Sequence, residues 1–253
     1  MSVKFSYDAS HSDMSTTARI AAAAEDLGLH LTDHQIGRLT TYADRLATSA
    51  TNLVSARDRD QIEQRHLGES LAYGRLLDKH GLLATGVRLL DLGAGGGLPG
   101  IPIKIAWPGI ELTLLESVGK KCRFLEQMAL ELALEGVTVL EGRAETLAHD
   151  PAHRERYDVV VARAVAALPV LIEYSLPFLR DGGRLAAVKG STALDEIDAA
   201  RAALRELGGR LVDAPAFDPP QGPRQTVVII EKTRPAPDRY PRREGIPSKR
   251  PIL

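Results

Sequence analysis

Residues 89–100 read Leu89-Leu90-Asp91-Leu92-Gly93-Ala94-Gly95-Gly96-Gly97-Leu98-Pro99-Gly100, five glycines within eight residues after an apolar run. A buried strand thus runs directly into a glycine cluster, and a helix opens beside a proline, whose fixed φ suits a first turn. Glycines there let the main chain turn tightly and approach a ligand with no Cβ in the way. In an open α/β sheet, ligands bind at the carboxyl ends of the strands, where this turn falls.

Outward from this turn, short apolar runs alternate with helical stretches. Strands are expected at 87–91, 111–116, 137–141, 157–162 and 183–188, with helices at 101–107, 120–136, 168–179 and 193–207. That rhythm predicts βαβ units and a parallel sheet. Two further strands, 209–215 and 226–232, are joined through Pro219, Pro220, Gly222 and Pro223 with no helix between them. A parallel pair needs a long crossover, so these two are expected to run antiparallel.

Before the sheet, residues 1–85 read as a helical cap, with amphipathic runs at 17–27, 33–47 and 58–79 and N-caps at Asp33 and Asp58. The first dozen residues, rich in Ser and Asp, are expected to lack fixed structure. The alternating segment is expected to form one α/β domain at 86–232, and residues 233–253 a basic tail. From Lys232 onward there are seven Lys or Arg against two Asp or Glu, a net of +5, and five prolines.

Composition narrows the class further. The chain has 253 residues, 44% hydrophobic and 26% charged, with a formal net charge of −1. At roughly 150 residues per domain, one large domain with an appendage fits. No whole-chain basic signature marks a nucleic-acid binder; only the tail is locally basic. One cysteine, Cys122, excludes an intramolecular disulfide and a Cys-rich zinc site. The N-terminus lacks the basic and apolar regions of a signal peptide, and the longest apolar stretch, 159–172, is interrupted by Arg163. The expectation is a cytoplasmic protein with no membrane segment.

The ligand follows from register and charge. Gly95, Gly97 and Gly100 satisfy G-x-G-x-x-G, but the dinucleotide fingerprint sets its first glycine directly after the strand. Counted from Gly93, the third glycine position is Leu98. A carboxylate at Asp91 would repel a pyrophosphate and attract an ammonium or sulfonium. S-adenosylmethionine carries both cations and no phosphate. Glu116, at the end of the second strand, is placed to accept ribose hydroxyls.

The type of methyl transfer is narrowed by what is missing. Methylation of an exocyclic amine usually goes with an Asn/Asp-Pro-Pro-aromatic loop after the fourth strand, where this chain has Ala162-Arg163-Ala164-Val165. Methylation at pyrimidine carbon 5 needs a cysteine nucleophile, and Cys122, inside a helical run, reads as a buried small residue. A nucleophile with a free lone pair remains, such as a purine N7, which needs positioning more than a general base.

Asp91 to Pro102, Lys120-Lys121-Cys122-Arg123-Phe124-Leu125, Gly142-Arg143-Ala144-Glu145, Ala162-Arg163-Ala164-Val165-Ala166 and Lys189-Gly190 together resemble the glucose-inhibited division protein B family. Those proteins are bacterial 16S ribosomal RNA guanine-N7 methyltransferases. Asn52-Leu53, Arg65-His66-Leu67 through Ser70-Leu71, and Tyr240-Pro241-Arg242-Arg243 with Gly245, Pro247 and Lys249 extend the likeness over residues 50–253. Two departures are Ala47-Thr48, where the family often has Trp-Asn, and Glu69, where it often has Asp. The resemblance implies a class I S-adenosylmethionine-dependent methyltransferase: a Rossmann-like, mostly parallel sheet with an antiparallel C-terminal strand and an N-terminal helical extension. It implies cofactor contacts at Gly93, Leu98, Ala144, Glu145 and Arg163, beside Asp91, Gly95 and Glu116 from the reading above. It also implies a partner in 16S rRNA or a small-subunit assembly intermediate, met by a monomer.

Substrate-side expectations are less local. Arg163 and Lys189, at strand ends, are expected to orient the guanine, splayed into the pocket for in-line attack on the sulfonium methyl. His66, Lys120, Lys121, Arg123, Arg242, Arg243 and Lys249 are expected to face RNA, and the tail is not expected to line the cofactor site. Each has a plainer reading, as a packed histidine, a solvated helix start or a soluble terminus. The pairs His30/His34 and His149/His153 are spaced i,i+4, but one flanks a helix start and the other contains Pro151, so no metal site is expected. Methylation of a protein or small molecule, or a non-catalytic cofactor-binding module, are the alternatives.

Overall fold

The structure, a computed structural model, describes residues 15–51, 53 and 62–253. The expectations for the first dozen residues, Asn52 and an N-cap at Asp58 lie outside the described residues.

Five strands run parallel: β1 (Arg88–Leu92), β2 (Glu111–Glu116), β3 (Val137–Glu141), β4 (Tyr157–Arg163) and β5 (Leu179–Lys189). Three more follow: β6 (Gly209–Asp213), β7 (Ala216–Phe217) and β8 (Gln225–Lys232). The sheet order is β3-β2-β1-β4-β5-β8-β6, with β7 on β8. As expected, β8 is antiparallel to both β5 and β6. Strand order reverses between β1 and β4, the place where open α/β sheets form a ligand crevice.

Side chains alternate across the sheet. Leu89, Val159, Val161, Ala186, Val227 and Ile229 enter one core, while Leu90, Val160, Ala162, Leu185, Val228 and Ile230 enter the other. The first core is covered by α1 (Thr16–Asp26), α2 (Asp33–Thr48), α3 (Gly68–Lys79), α4 (Gly100–Ala106) and α5 (Gly119–Glu131). The second lies under α6 (Ala144–Leu147), α7 (Leu168–Ser175), α8 (Ala193–Ala199) and α9 (Arg201–Leu207); α10 (Ile246–Lys249) lies in the tail. Tyr42 of α2 and Tyr73 of α3 are buried in the first core, and their hydroxyls donate to the carbonyls of Gly96 (2.6 Å) and Ala186 (2.9 Å). The N-terminal helices therefore grip the glycine turn and the sheet directly. Trp107, at the end of α4, packs against Gly74 of α3.

Three local expectations are corrected. Thr32, not Asp33, caps α2: its hydroxyl accepts the Gln35 amide, and the Gln35 side chain accepts the Thr32 amide in return. The helix expected at 120–136 ends at Glu131, after which Ala133 turns left-handed (φ 46°). The helix expected at 193–207 is two helices, meeting at Ala200. Among the described residues, no helix is long and apolar enough to cross a membrane.

Candidate cofactor and RNA site

A cleft of about 100 Å³ opens at the carboxyl ends of β1, β2 and β3. It is lined by Leu92, Gly93, Leu115, Glu116, Ser117, Gly142, Arg143, Ala144, Glu145, Val165 and Tyr174. Gly93, Glu116, Ala144 and Glu145, singled out from the sequence, thus come together. Gly93 has φ +73°, and a Cβ there would lie 3.1 Å from Val165 Cγ2, so conformation and space both call for glycine.

Glu116 shapes the turn. One oxygen accepts the Gly95 amide at 3.0 Å; the other accepts the amides of Ser117 (2.8 Å) and Val118 (2.9 Å). Lys121 Nζ stands 3.8 Å from it. Cys122 is buried, and its thiol donates to the Glu116 carbonyl at 3.3 Å; burial and nearby carboxylates push its pKa up, which suits packing and not nucleophilic attack.

Asp91 does not line the cleft. Strand alternation turns it to the cap side, where it is 1% exposed and accepts the Gly100 amide at 2.9 Å. Burial pushes its pKa up to about 7, against the pull of the Gly100 amide and the Arg163 guanidinium. A Cβ on residue 100 would sit 2.7 Å from the Asp91 carboxylate, so glycine is required there for close approach. Asp91 therefore braces the turn from behind and occupies the first amide of α4. Leu98 also packs into the cap-side core and does not line the cleft.

Arg163 ends β4 on the same cap-facing side as Asp91. It pairs with Glu69 of α3 at 3.0 Å, the two side chains 17% and 11% exposed. Glu69 also accepts from Gln225 Nε2 at 3.3 Å. Next to Arg163, Ala164 holds a left-handed φ of 55°, a strained conformation for a residue with a Cβ. Lys189 does not face open space: its ammonium donates to the Ala166 carbonyl (2.5 Å) and pairs with Glu196 (2.9 Å). Glu196 in turn accepts the Leu168 amide at 2.7 Å. Lys189 thus pins the loop between β4 and α7 that carries Val165 over the cleft.

The expected RNA-facing residues divide into three groups. Lys120 and Arg123 on the first turns of α5, and Arg243 and Lys249 in the tail, are exposed. Lys121 and His66 are half-buried, His66 in a π-helical turn (Ile62–Leu67). Arg242 points inward onto Glu173 of α7, which is 0% exposed. The tail also meets the cofactor cleft, contrary to expectation: the Gly245 amide donates to Glu145 at 3.1 Å. Sequence reading missed Arg143, Tyr174 and Val165 as lining residues, and Glu69 as the partner of Arg163. Arg143, Val165 and Glu69 stand inside motifs quoted above and were within reach; Tyr174 carries no local signal.

The donor set fits S-adenosylmethionine better than a dinucleotide. Two carboxylates, Glu116 and Glu145, flank the cleft; Arg143 is its one basic lining residue; and the helix-start amide that a pyrophosphate would use is taken by Asp91. Glycine turn, acidic β2 end and switch-point crevice define a nucleoside-binding, methyltransferase-type α/β protein. Solved folds agree. The magnesium protoporphyrin IX methyltransferase of Synechocystis, with bound S-adenosylmethionine, superposes at TM-score 0.55 and 16% identity over 78% of this chain and 97% of its own. A Galdieria sulphuraria protein described as a putative sarcosine dimethylglycine methyltransferase gives 0.52 and 16% over 70% and 76%.

The particular family follows from sequence. Residues 35–224 match the profile of GidB, rRNA small subunit methyltransferase G, and the chain belongs to that family. The ribosomal RNA small subunit methyltransferase G of Roseiflexus castenholzii is 45% identical over 91% of this chain and 97% of its own. The protein of the same name from Deinococcus radiodurans is 43% identical over 91% and 90%.

Proposed function

We propose that this chain transfers a methyl group from S-adenosylmethionine to N7 of a guanine in 16S rRNA. The observation that carries the reading is one cleft shared by the glycine turn, Glu116 and the Ala144-Glu145 main chain, in a member of the rRNA small subunit methyltransferase G family. When bound, S-adenosylmethionine supplies a sulfonium-activated methyl. Glu116 would accept the ribose hydroxyls, and the main chain at Ala144-Glu145 would meet the adenine edge. Guanine N7 already carries a free lone pair, so the chain need not remove a proton from it. The work left to the protein is binding and orientation.

Arg163, held by Glu69 at the end of β4, and the loop pinned by Lys189, which carries Val165 over the cleft, would orient the acceptor base. Lys120, Arg123, Arg143, Arg243 and Lys249 are exposed cations at the same edge of the sheet and in the adjoining tail, suited to phosphate contacts. The partner is 16S rRNA or an assembly intermediate of the small subunit, met by a monomer in the cytoplasm.

Calorimetric titration with S-adenosylmethionine, S-adenosylhomocysteine and NAD tests the cofactor assignment. Binding of the first two and not the third is the expected result. NAD binding, or no binding of either adenosyl ligand, overturns it.

A further inference from the structure

We propose that Arg242 is a positioning residue for the cofactor cleft, acting through the C-terminal segment that it staples to α7. The inference rests on the cleft being an S-adenosylmethionine site. Glu173 is fully buried, the one charged residue of the Leu168–Ser175 helix. Arg242 satisfies it three times over: the Arg242 amide donates at 2.8 Å, Nε at 2.9 Å and Nη2 at 2.7 Å. A buried carboxylate without such a fork would be strongly unfavourable. Nη2 also donates to the Arg250 carbonyl at 2.7 Å, so one guanidinium ties both ends of the segment 242–250.

Between those two ends the segment reaches the cleft wall at three points. The Gly245 amide donates to Glu145 (3.1 Å), Thr146 donates to Glu244 (2.7 Å), and the hydroxyls of Ser248 and Tyr174 share a hydrogen bond (2.9 Å). Glu145 and Tyr174 both line the cleft. Further back, His149 meets the Pro241 carbonyl at 2.8 Å, and Arg154 donates to the carbonyls of Tyr240 and Ala236. The tail is thus the outer support of the wall that would meet the adenine. The fork on Glu173 holds that support in place, and the charge of Arg242 is committed inside the protein while Arg243 and Lys249 face out.

Two variants test this. Arg242→Lys keeps the charge and loses the planar fork. Glu244→Ala with Ser248→Ala removes two exposed supports of the wall without burying an unpaired group. We expect Arg242→Lys to weaken S-adenosylhomocysteine binding about tenfold and the double variant about threefold to tenfold, the scale of one or two net hydrogen bonds. In the cofactor-free protein, amides 144–147 should exchange faster in both, and the salt slope of RNA binding should match wild type. Should Arg242→Lys fail to fold, the double variant decides. Wild-type affinity and wild-type exchange in the folded variants overturn the proposal. If wild-type protein itself binds no adenosyl ligand, the cofactor reading falls, while the exchange measurement still judges the staple.

Discussion

Glu69 and Arg163 lie 94 positions apart in the chain and meet as an ion pair at 3.0 Å, almost closed off from water. The contact joins α3 of the helical cap to the end of β4, beside the strained residue Ala164. It fixes the guanidinium at the point where the sheet, the cap and the loop over the cofactor cleft converge.

Replacing Glu69 by Gln should therefore destabilise the protein by about 1–3 kcal/mol, the loss of a charged hydrogen bond at a nearly buried cation. Guanidinium denaturation midpoints would show it. Methyl transfer should fall further than cofactor affinity, because Arg163 loses its orientation while the cleft keeps Glu116. Equal loss of both would mean that the pair only stabilises the fold.

Asp91 makes the protein's stability depend on pH near neutrality. Its folded pKa, about 7, lies above its ordinary value, so the folded state holds a proton that the unfolded state has released. The favourable contribution is complete below pH ~4 and is lost as pH rises through 7. Asp91→Asn keeps an acceptor for the Gly100 amide and removes the titration. Its melting temperature should gain on wild type between pH 5 and pH 8.5; parallel curves would contradict the assignment.

Lys189→Met should release the loop after β4. Burial pushes the Glu196 pKa up, yet hydrogen bonds from Lys189 and the Leu168 amide more than offset it and hold the group below the ordinary range. That stabilisation is present above the ordinary carboxylate pKa and is lost as pH falls through the folded value. The variant should lose stability near neutral pH and much less in acid. Its kcat should drop more than its affinity for S-adenosylhomocysteine; an unchanged kcat would limit Lys189 to structure.

Arg243→Ala with Lys249→Ala should weaken RNA binding and flatten its salt dependence by roughly 0.7–0.9 in log–log slope per lost phosphate contact. Cofactor affinity should hold, since both side chains point to solvent. A wild-type slope would remove the tail's exposed cations from the RNA interface.

Much of this was legible along the chain, for reasons the structure makes plain. Short apolar runs alternating with helical stretches and a glycine cluster are local signals, and they located β1 to β5 and the cleft. The missing helix between 209–215 and 226–232 correctly implied antiparallel strands. Asp91 shows the limit: charge suggested a ligand contact, but strand alternation sends residues 90 and 92 to one face and 91 to the other, and only the folded cap shows which face is covered. Glu69 with Arg163, and Glu173 with Arg242, are pairs across 94 and 69 positions, with no spacing to reveal them. Glu173 inside an apolar helix did carry a hint, since a buried acid demands a cation. The tail's contact with the cofactor cleft was not legible because main-chain groups, including the Gly245 amide and the Ala236 and Pro241 carbonyls, make many of its anchors, and these leave no side-chain pattern.

The central claim is methyl transfer to guanine N7 in small-subunit rRNA. It is tested most directly by incubating the protein with methyl-labelled S-adenosylmethionine and, in parallel, naked 16S rRNA, small-subunit particles and assembly intermediates, then mapping the modified nucleotide. Label in at least one of these RNAs, recovered as 7-methylguanosine at a single position, is the expected result. Label on an exocyclic amine, a ribose or a protein, or no label in any of the three, would contradict it.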